Sequence, residues 1–181
     1  MVPFFMLQIK STYNTKFTEV EIKQLHEIIR IAYEKTEEEI WGKNYVRIFY
    51  EEFKTLVNKG DFLVAFLNGE IVGGVQAYLR KEGVYSFSLL GVDFNHGGKG
   101  IGTALINEVE KEAKSKGATQ VDIEILRVRA VDVKHKLVLA NYYERLGYRY
   151  THSDDCSCII PEWKYKLLVA PSDFDFYTKK L

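Results

Sequence analysis

Between an apolar stretch, Leu89-Leu90-Gly91-Val92, and an amphipathic one that begins near Ile101, the chain reads His96-Gly97-Gly98-Lys99-Gly100-Ile101-Gly102-Thr103. Glycine fills four of the six positions from 97 to 102, so backbone N–H groups there stand uncovered by side chains. A helix starting directly afterwards adds the orphan donors of its first turn and a partial positive charge. That combination binds anions, and a phosphate is its natural occupant. Two nucleotide-binding readings fail on spacing. A Walker loop needs Ser or Thr after Gly-Lys to hold magnesium, and Gly98-Lys99 is followed by Gly100. A dinucleotide fingerprint needs Gly-x-Gly-x-x-Gly at the first strand of a parallel unit, whereas Gly98, Gly100 and Gly102 alternate and follow three antiparallel-looking strands. His152, Asp154, Asp155, Cys156 and Cys158 are metal-ligand types in one stretch, but their spacing matches no common zinc pattern. A turn leading into a strand is the preferred reading, and no metal is expected.

The elements that must position the glycine turn follow from hydrophobic spacing. Thr18 or Thr15 can cap a helix through Val20, Leu25, Ile28, Ile29, Ala32 and Tyr33, after which Glu34 to Glu39 turn acidic. A second helix carries Tyr45, Ile48, Phe49, Phe53 and Leu56 and stops near Asn58-Lys59-Gly60. Strands 62–67 and 71–79 flank Asn68-Gly69, a hairpin signal because both residues tolerate positive φ. Lys81-Glu82-Gly83 makes the next turn, and a third antiparallel strand over 84–92 delivers the chain into the glycines. A helix over 100–116 presents Ala104, Leu105, Val109 and Ala113 on one face and stops at Gly117. Strand 120–126 is then parallel to its predecessor, because a helix intervenes. A second crossover helix over 134–146 ends at Gly147, and 148–168 reads as two closing strands. The order predicts an α/β (α+β) fold with a mixed, mostly antiparallel sheet and one domain over 1–181: helices 18–58, core 61–150, closing strands and tail 148–181.

Composition narrows the class. Twenty-five basic residues cancel 25 acidic ones, so no global field favours nucleic acid or an anionic membrane. With 46% apolar residues the chain can bury a substantial core. No run approaches the roughly 18 apolar residues of a membrane helix. Met1-Val2-Pro3-Phe4-Phe5-Met6-Leu7 lacks the basic start and small-residue cleavage pattern of a signal peptide and is expected to be the first strand. Cys156 and Cys158 are spaced for a strained bridge only, so a cytoplasmic location is expected.

Val92-x-x-x-x-x-Gly98-Lys99-Gly100-Ile101-Gly102-Thr103-Ala104-Leu105, followed downstream by Tyr143-Glu144-Arg145-Leu146-Gly147-Tyr148, closely resembles the GNAT acyltransferase superfamily over roughly residues 62–150. The resemblance implies a twisted sheet with a central, splayed parallel strand pair and helices on both faces. It implies acetyl-CoA as cosubstrate, its pyrophosphate held by Gly97, Gly98, Lys99, Gly100, Ile101, Gly102 and Thr103. It places the thioester against the end of the preceding strand, Leu90 to Val92, with the Val92 N–H donating to the acyl oxygen. Two positions depart from the pattern: Gly97 stands where the family usually has Gln or Arg, and Lys136 where it often has Asn, with Asn141 out of phase for that role.

Acyl transfer to an amine needs an oxyanion donor, an unprotonated amine and a proton for the departing thiolate. The resemblance puts Tyr143 at the general-acid position, and a phenol of pKa about 10 suits a thiolate leaving group. Leu139, Tyr143 and Leu146 also form a helical stripe, so a core tyrosine with a satisfied hydroxyl is the alternative; Tyr142 faces elsewhere and serves as the comparison. Glu124 is the best carboxylate for a base, acting directly or through water, with a solvent-facing strand position as its alternative. Glu37-Glu38-Glu39, expected where the two N-terminal helices meet and followed by Trp41, Tyr45 and Phe49, suits a cationic amine or is an ordinary charged helix end. Arg127, Arg129, Lys134, His135 and Lys136 read as a solvated basic loop, or as a contact to the adenosine phosphate or an acidic substrate. The function expected is N-acetyl transfer from acetyl-CoA to a small-molecule or protein amine, by direct attack and without metal; a non-catalytic acyl-CoA sensor is the alternative. The aromatic tail Phe174, Phe176, Tyr177 is expected to serve a homodimer interface or to fold over the cleft.

Overall fold

The computed structural model describes residues 6–181. The elements run β1 (Leu7–Ser11), α1 (Glu19–Trp41), α2 (Tyr50–Lys59), β2 (Phe62–Leu67), β3 (Glu70–Lys81), β4 (Val84–Val92), α3 (Ile101–Ser115), β5 (Gln120–Val128), α4 (Lys134–Arg145), β6 (Arg149–Asp155), α5 (Glu162–Tyr165) and β7 (Ser172–Lys180). They build one seven-stranded sheet in the order β1-β2-β3-β4-β5-β7-β6. Every neighbouring pair is antiparallel except β4 and β5. That parallel pair is joined only at Val84, Tyr85 and Ser86 against Gln120, Val121 and Asp122, and beyond them the ladder stops.

Helices cover both faces. Ile22, Leu25 and Ile29 of α1 and Phe53 and Val57 of α2 pack with Phe62, Val64, Phe66 and Leu89 on one side. Leu105, Ile106, Val109 and Ala113 of α3 and Tyr143 of α4 pack with Phe87, Val121 and Ile123 on the other. Alternation along the strands divides residues between the two layers. Gly91 lets α1 lie close: a Cβ there would stand 3.1 Å from the Ile29 Cα.

Several expectations shift. Met1 to Phe5, most of the expected first strand, lie outside the described residues, and β1 begins at Leu7. Thr18 caps α1 as a reciprocal box with Glu21, but the helix does not end at the acidic run. It continues to Trp41 because glutamate is a good helix former and the apolar spacing resumes at Ile40 and Trp41. Glu37 therefore lies inside α1 and is buried, whereas Val20 is exposed. Tyr45 and Ile48 belong to the α1–α2 connection, and α2 starts at Tyr50. Residues 148–168 hold a single strand, β6, followed by a short 3-10 turn and α5. The second closing strand is the tail itself: β7 inserts between β5 and β6, so Phe174, Phe176 and Tyr177 are parts of the sheet, and Phe174 reaches the cavity from there.

Candidate active site

The parting of β4 from β5 opens a cavity of about 290 Å³. Its floor is Ser86, Phe87, Ser88, Leu90, Gly91 and Val92 of β4 and Ile123 to Leu126 of β5; Lys136, Leu139 and Tyr143 of α4 close one side, and Tyr33 and Glu37 of α1 close the other. β4 bends here. Its register with β3 shifts between Gly74 and Gln76, opposite Leu89, whose φ is +49°. A non-glycine residue in that region marks a bulge that turns backbone groups out of the ladder. The bulge lies next to Leu90, Gly91 and Val92, all on the cavity wall.

Tyr143 is 6% exposed, packed against Phe87 at 5.8 Å and Tyr148 at 5.8 Å between ring centroids. Its ring is core, but the residue lines the cavity and its hydroxyl has no hydrogen-bond partner among the described residues. Burial, then the neighbouring Tyr33 and Tyr142, push its phenol far above the usual range. Tyr142 is no neutral comparison. Its hydroxyl meets Thr103 Oγ1 at 2.8 Å, so it braces the start of α3. Burial likewise raises the Tyr33 phenol to about 12, the Arg47 charge and the backbone of Leu90 and Leu89 working against the rise.

The glycine turn continues directly from Val92 through a 3-10 turn (Phe94–His96) capped by the Asp93 side chain on the Asn95 N–H. Gly98 has φ +73° and Gly100, the N-cap of α3, has φ +74°, and a Cβ at either would meet nothing within 4 Å. Glycine is required there by backbone conformation, not by crowding, and the space above both is open. Lys99 Nζ lies 3.1 Å from His96 Nδ1. The turn and the cavity are thus consecutive along one path.

Glu124 lines the cavity with its carboxylate paired to Arg80 at 2.6 Å. Glu37 holds the opposite wall with both oxygens engaged, Oε1 by Lys136 Nζ at 2.7 Å and Oε2 by Trp41 Nε1 at 3.1 Å. Burial works against its charge, but Lys136 and Arg47 outweigh it and hold its pKa below the usual range. The basic run is no solvated loop: Arg127 binds Asp173 and Asp175, Arg129 binds Asp155 and Asp173, and His135 and Lys136 line the cavity. Partial burial, then Lys136, lowers the His135 pKa. In the former metal-ligand stretch, His152 stacks on Phe176 at 4.5 Å and Asp155 caps the turn holding Cys156 and Cys158. No three His, Cys, Asp or Glu side chains converge among the described residues.

Sequence reasoning missed Tyr33, Arg47 and the place of Lys136. Lys136 shares the Leu139 and Tyr143 face at i, i+3 and i+7, a signal that was available. Arg47 sits in the irregular α1–α2 connection, where no periodicity points anywhere.

A family model described as "Acetyltransferase (GNAT) family" matches residues 22–148. The chain belongs to the GNAT acetyltransferase family. Among solved structures it is similar to an aminoglycoside 6'-N-acetyltransferase complexed with coenzyme A, at 17% identity and a TM-score of 0.69, covering 96% of each chain. It is similar to a ribosomal-protein-alanine N-acetyltransferase from Brucella melitensis at 19% identity and a TM-score of 0.65, covering 96% of this chain and 99% of that one. A GNAT acetyltransferase from Elizabethkingia anophelis with acetyl-CoA bound matches at 17% identity and a TM-score of 0.65, covering 97% and 98%. Identities this low show a shared fold. The acceptors those names print, an aminoglycoside and a ribosomal protein, differ from one another. Among the described residues no helix is long and apolar enough to cross a membrane.

Proposed function

We propose that this GNAT-family protein transfers the acetyl group of acetyl-CoA to an amine by direct attack. The observation that carries the reading is the continuity of three features: a glycine turn with open space above it, a strand bulge at Leu89 next to it, and a cavity lined by Tyr143. Gly97, Gly98, Lys99, Gly100, Ile101, Gly102 and Thr103 hold the pyrophosphate through backbone N–H groups and the start of α3. Leu90 and Val92 receive the pantetheine arm, and the Val92 N–H donates to the acyl oxygen as it gains charge. Attack of the neutral amine forms the C–N bond; collapse breaks the C–S bond, and Tyr143 gives its proton to the departing sulfur. Glu124, paired with Arg80, takes the proton the amine loses, through water. The fit of Tyr143 to its role rests on the free hydroxyl, since a core tyrosine would have it satisfied.

The test is release of free thiol from acetyl-CoA across a panel of amines. Thiol release above hydrolysis with at least one amine, abolished in Tyr143→Phe, is the expected result. Acetyl-CoA binding without release on any amine would favour the sensor reading instead.

A further inference from the structure

Both carboxylates on the cavity wall already have cationic partners: Glu37 is matched to Lys136 and Glu124 to Arg80. Partial burial and then Lys136 lower the His135 pKa and disfavour a further charge there. Among the described residues of the cavity wall one cation is left over. Arg47 lines the same cavity, with its guanidinium 5.3 Å from the centre of the Tyr33 ring. It closes no salt bridge among the described residues, and its Nε is the buried side-chain polar atom left there without a hydrogen-bond partner. The neutral Tyr45 hydroxyl hydrogen-bonds with it and Glu37 stands near it, but Glu37 spends both its oxygens on Lys136 and Trp41.

We propose that the acceptor is an amine that also carries a carboxylate, and that Arg47 receives that carboxylate. A largely desolvated guanidinium that meets no carboxylate in an ion pair is costly, and its fork matches a carboxylate's two oxygens. Charge selects among anions. The wall has one uncompensated positive charge, which a monoanionic carboxylate neutralises, whereas a phosphate dianion would set surplus negative charge beside Glu37. Volume agrees, because a cavity of about 290 Å³ that must also admit the acetyl end suits a molecule of amino-acid size. The cationic amine suggested by Glu37-Glu38-Glu39 loses its basis, since Glu37 is engaged and Glu38 and Glu39 are exposed.

The inference rests on the acetyl-transfer reading, and the experiment separates the two. The full chain is titrated first with coenzyme A; a flat titration overturns acetyl transfer itself. The coenzyme A-loaded protein is then titrated with free amino acids, with the carboxamide of each, and with spermidine. At least one amino acid is expected to bind about tenfold or more tighter than its own carboxamide, with that preference reduced in Arg47→Lys and lost in Arg47→Gln. Coenzyme A affinity and the melting curve, unchanged in Arg47→Lys, show that the fold is intact. In turnover the same variant is expected to raise KM for the amino acid while leaving KM for acetyl-CoA unaltered. Carboxamides or spermidine binding as well as the acids, no acid binding at all, or a preference that survives Arg47→Gln would overturn the assignment.

Discussion

Tyr143 keeps its proton because ionising it would place a phenolate among Phe87, Tyr142 and Tyr148 in a water-poor wall. A raised pKa has a definite sign in kinetics. The acid form persists through the ordinary assay range, so kcat is expected to show no alkaline fall attributable to Tyr143 below about pH 10. A descending limb centred near pH 8 that vanishes in Tyr143→Phe would contradict this. The same variant is expected to lose about 10²–10⁴-fold in kcat, with acetyl-CoA affinity measured by calorimetry unchanged. Sequence made Tyr143 legible through its place in the helix motif, and it made the glycines legible through composition. Arg47 was not legible, because its meaning depends on which neighbours are already paired, and that is decided by groups distant in sequence such as Glu37 and Lys136.

Elements carry these residues by contacts that leave little slack. The Glu37–Lys136 pair ties α1 to α4 across the cavity with both side chains nearly buried. Removing one partner of such a pair strands a charge, so Lys136→Met is expected to cost about 3–5 kcal/mol in chemical unfolding. Glu37 has a lowered folded-state pKa, so its contribution is present above its unfolded value and fades as pH falls through the folded one. Wild type is expected to lose stability below about pH 4.5 with a steeper slope than a Glu37→Gln, Lys136→Met double variant. The glycine turn responds differently. Gly100→Ala meets no obstacle, but alanine resists a φ of +74° by about 1–2 kcal/mol. Because the turn is exposed it relaxes when free, and the strain reappears on binding as a roughly 5- to 30-fold weaker acetyl-CoA affinity. The α1 boundary shows why elements were only partly legible: a run of glutamates reads as a break, while the buried stripe through Ile29, Ile40 and Trp41 carries the helix onward.

At the scale of the molecule, the sheet is divided where β4 and β5 separate, and the C-terminal part is closed by β7 rather than by consecutive strands. β7 pairs along nine residues of β5 and also holds β6, and the Asp173 and Asp175 carboxylates on it fix Arg127 and Arg129. Deleting residues 172–181 would expose both partner strands. The truncated chain is expected to lose cooperative thermal unfolding, measured by circular dichroism, and retention of a sharp transition would contradict the central place of β7. This insertion was hidden in the sequence because strand order is set by long-range pairing, and nothing local distinguishes a tail that caps a cleft from one that threads between strands. The central claim, that the glycine turn and the adjoining cavity accept an acyl-CoA, is tested most directly by calorimetric titration of the purified chain with acetyl-CoA. Saturable binding at one site per chain, weakened by Gly100→Ala and unchanged by Tyr143→Phe, is expected; no binding, or binding indifferent to Gly100→Ala, would contradict an acyl-CoA site there.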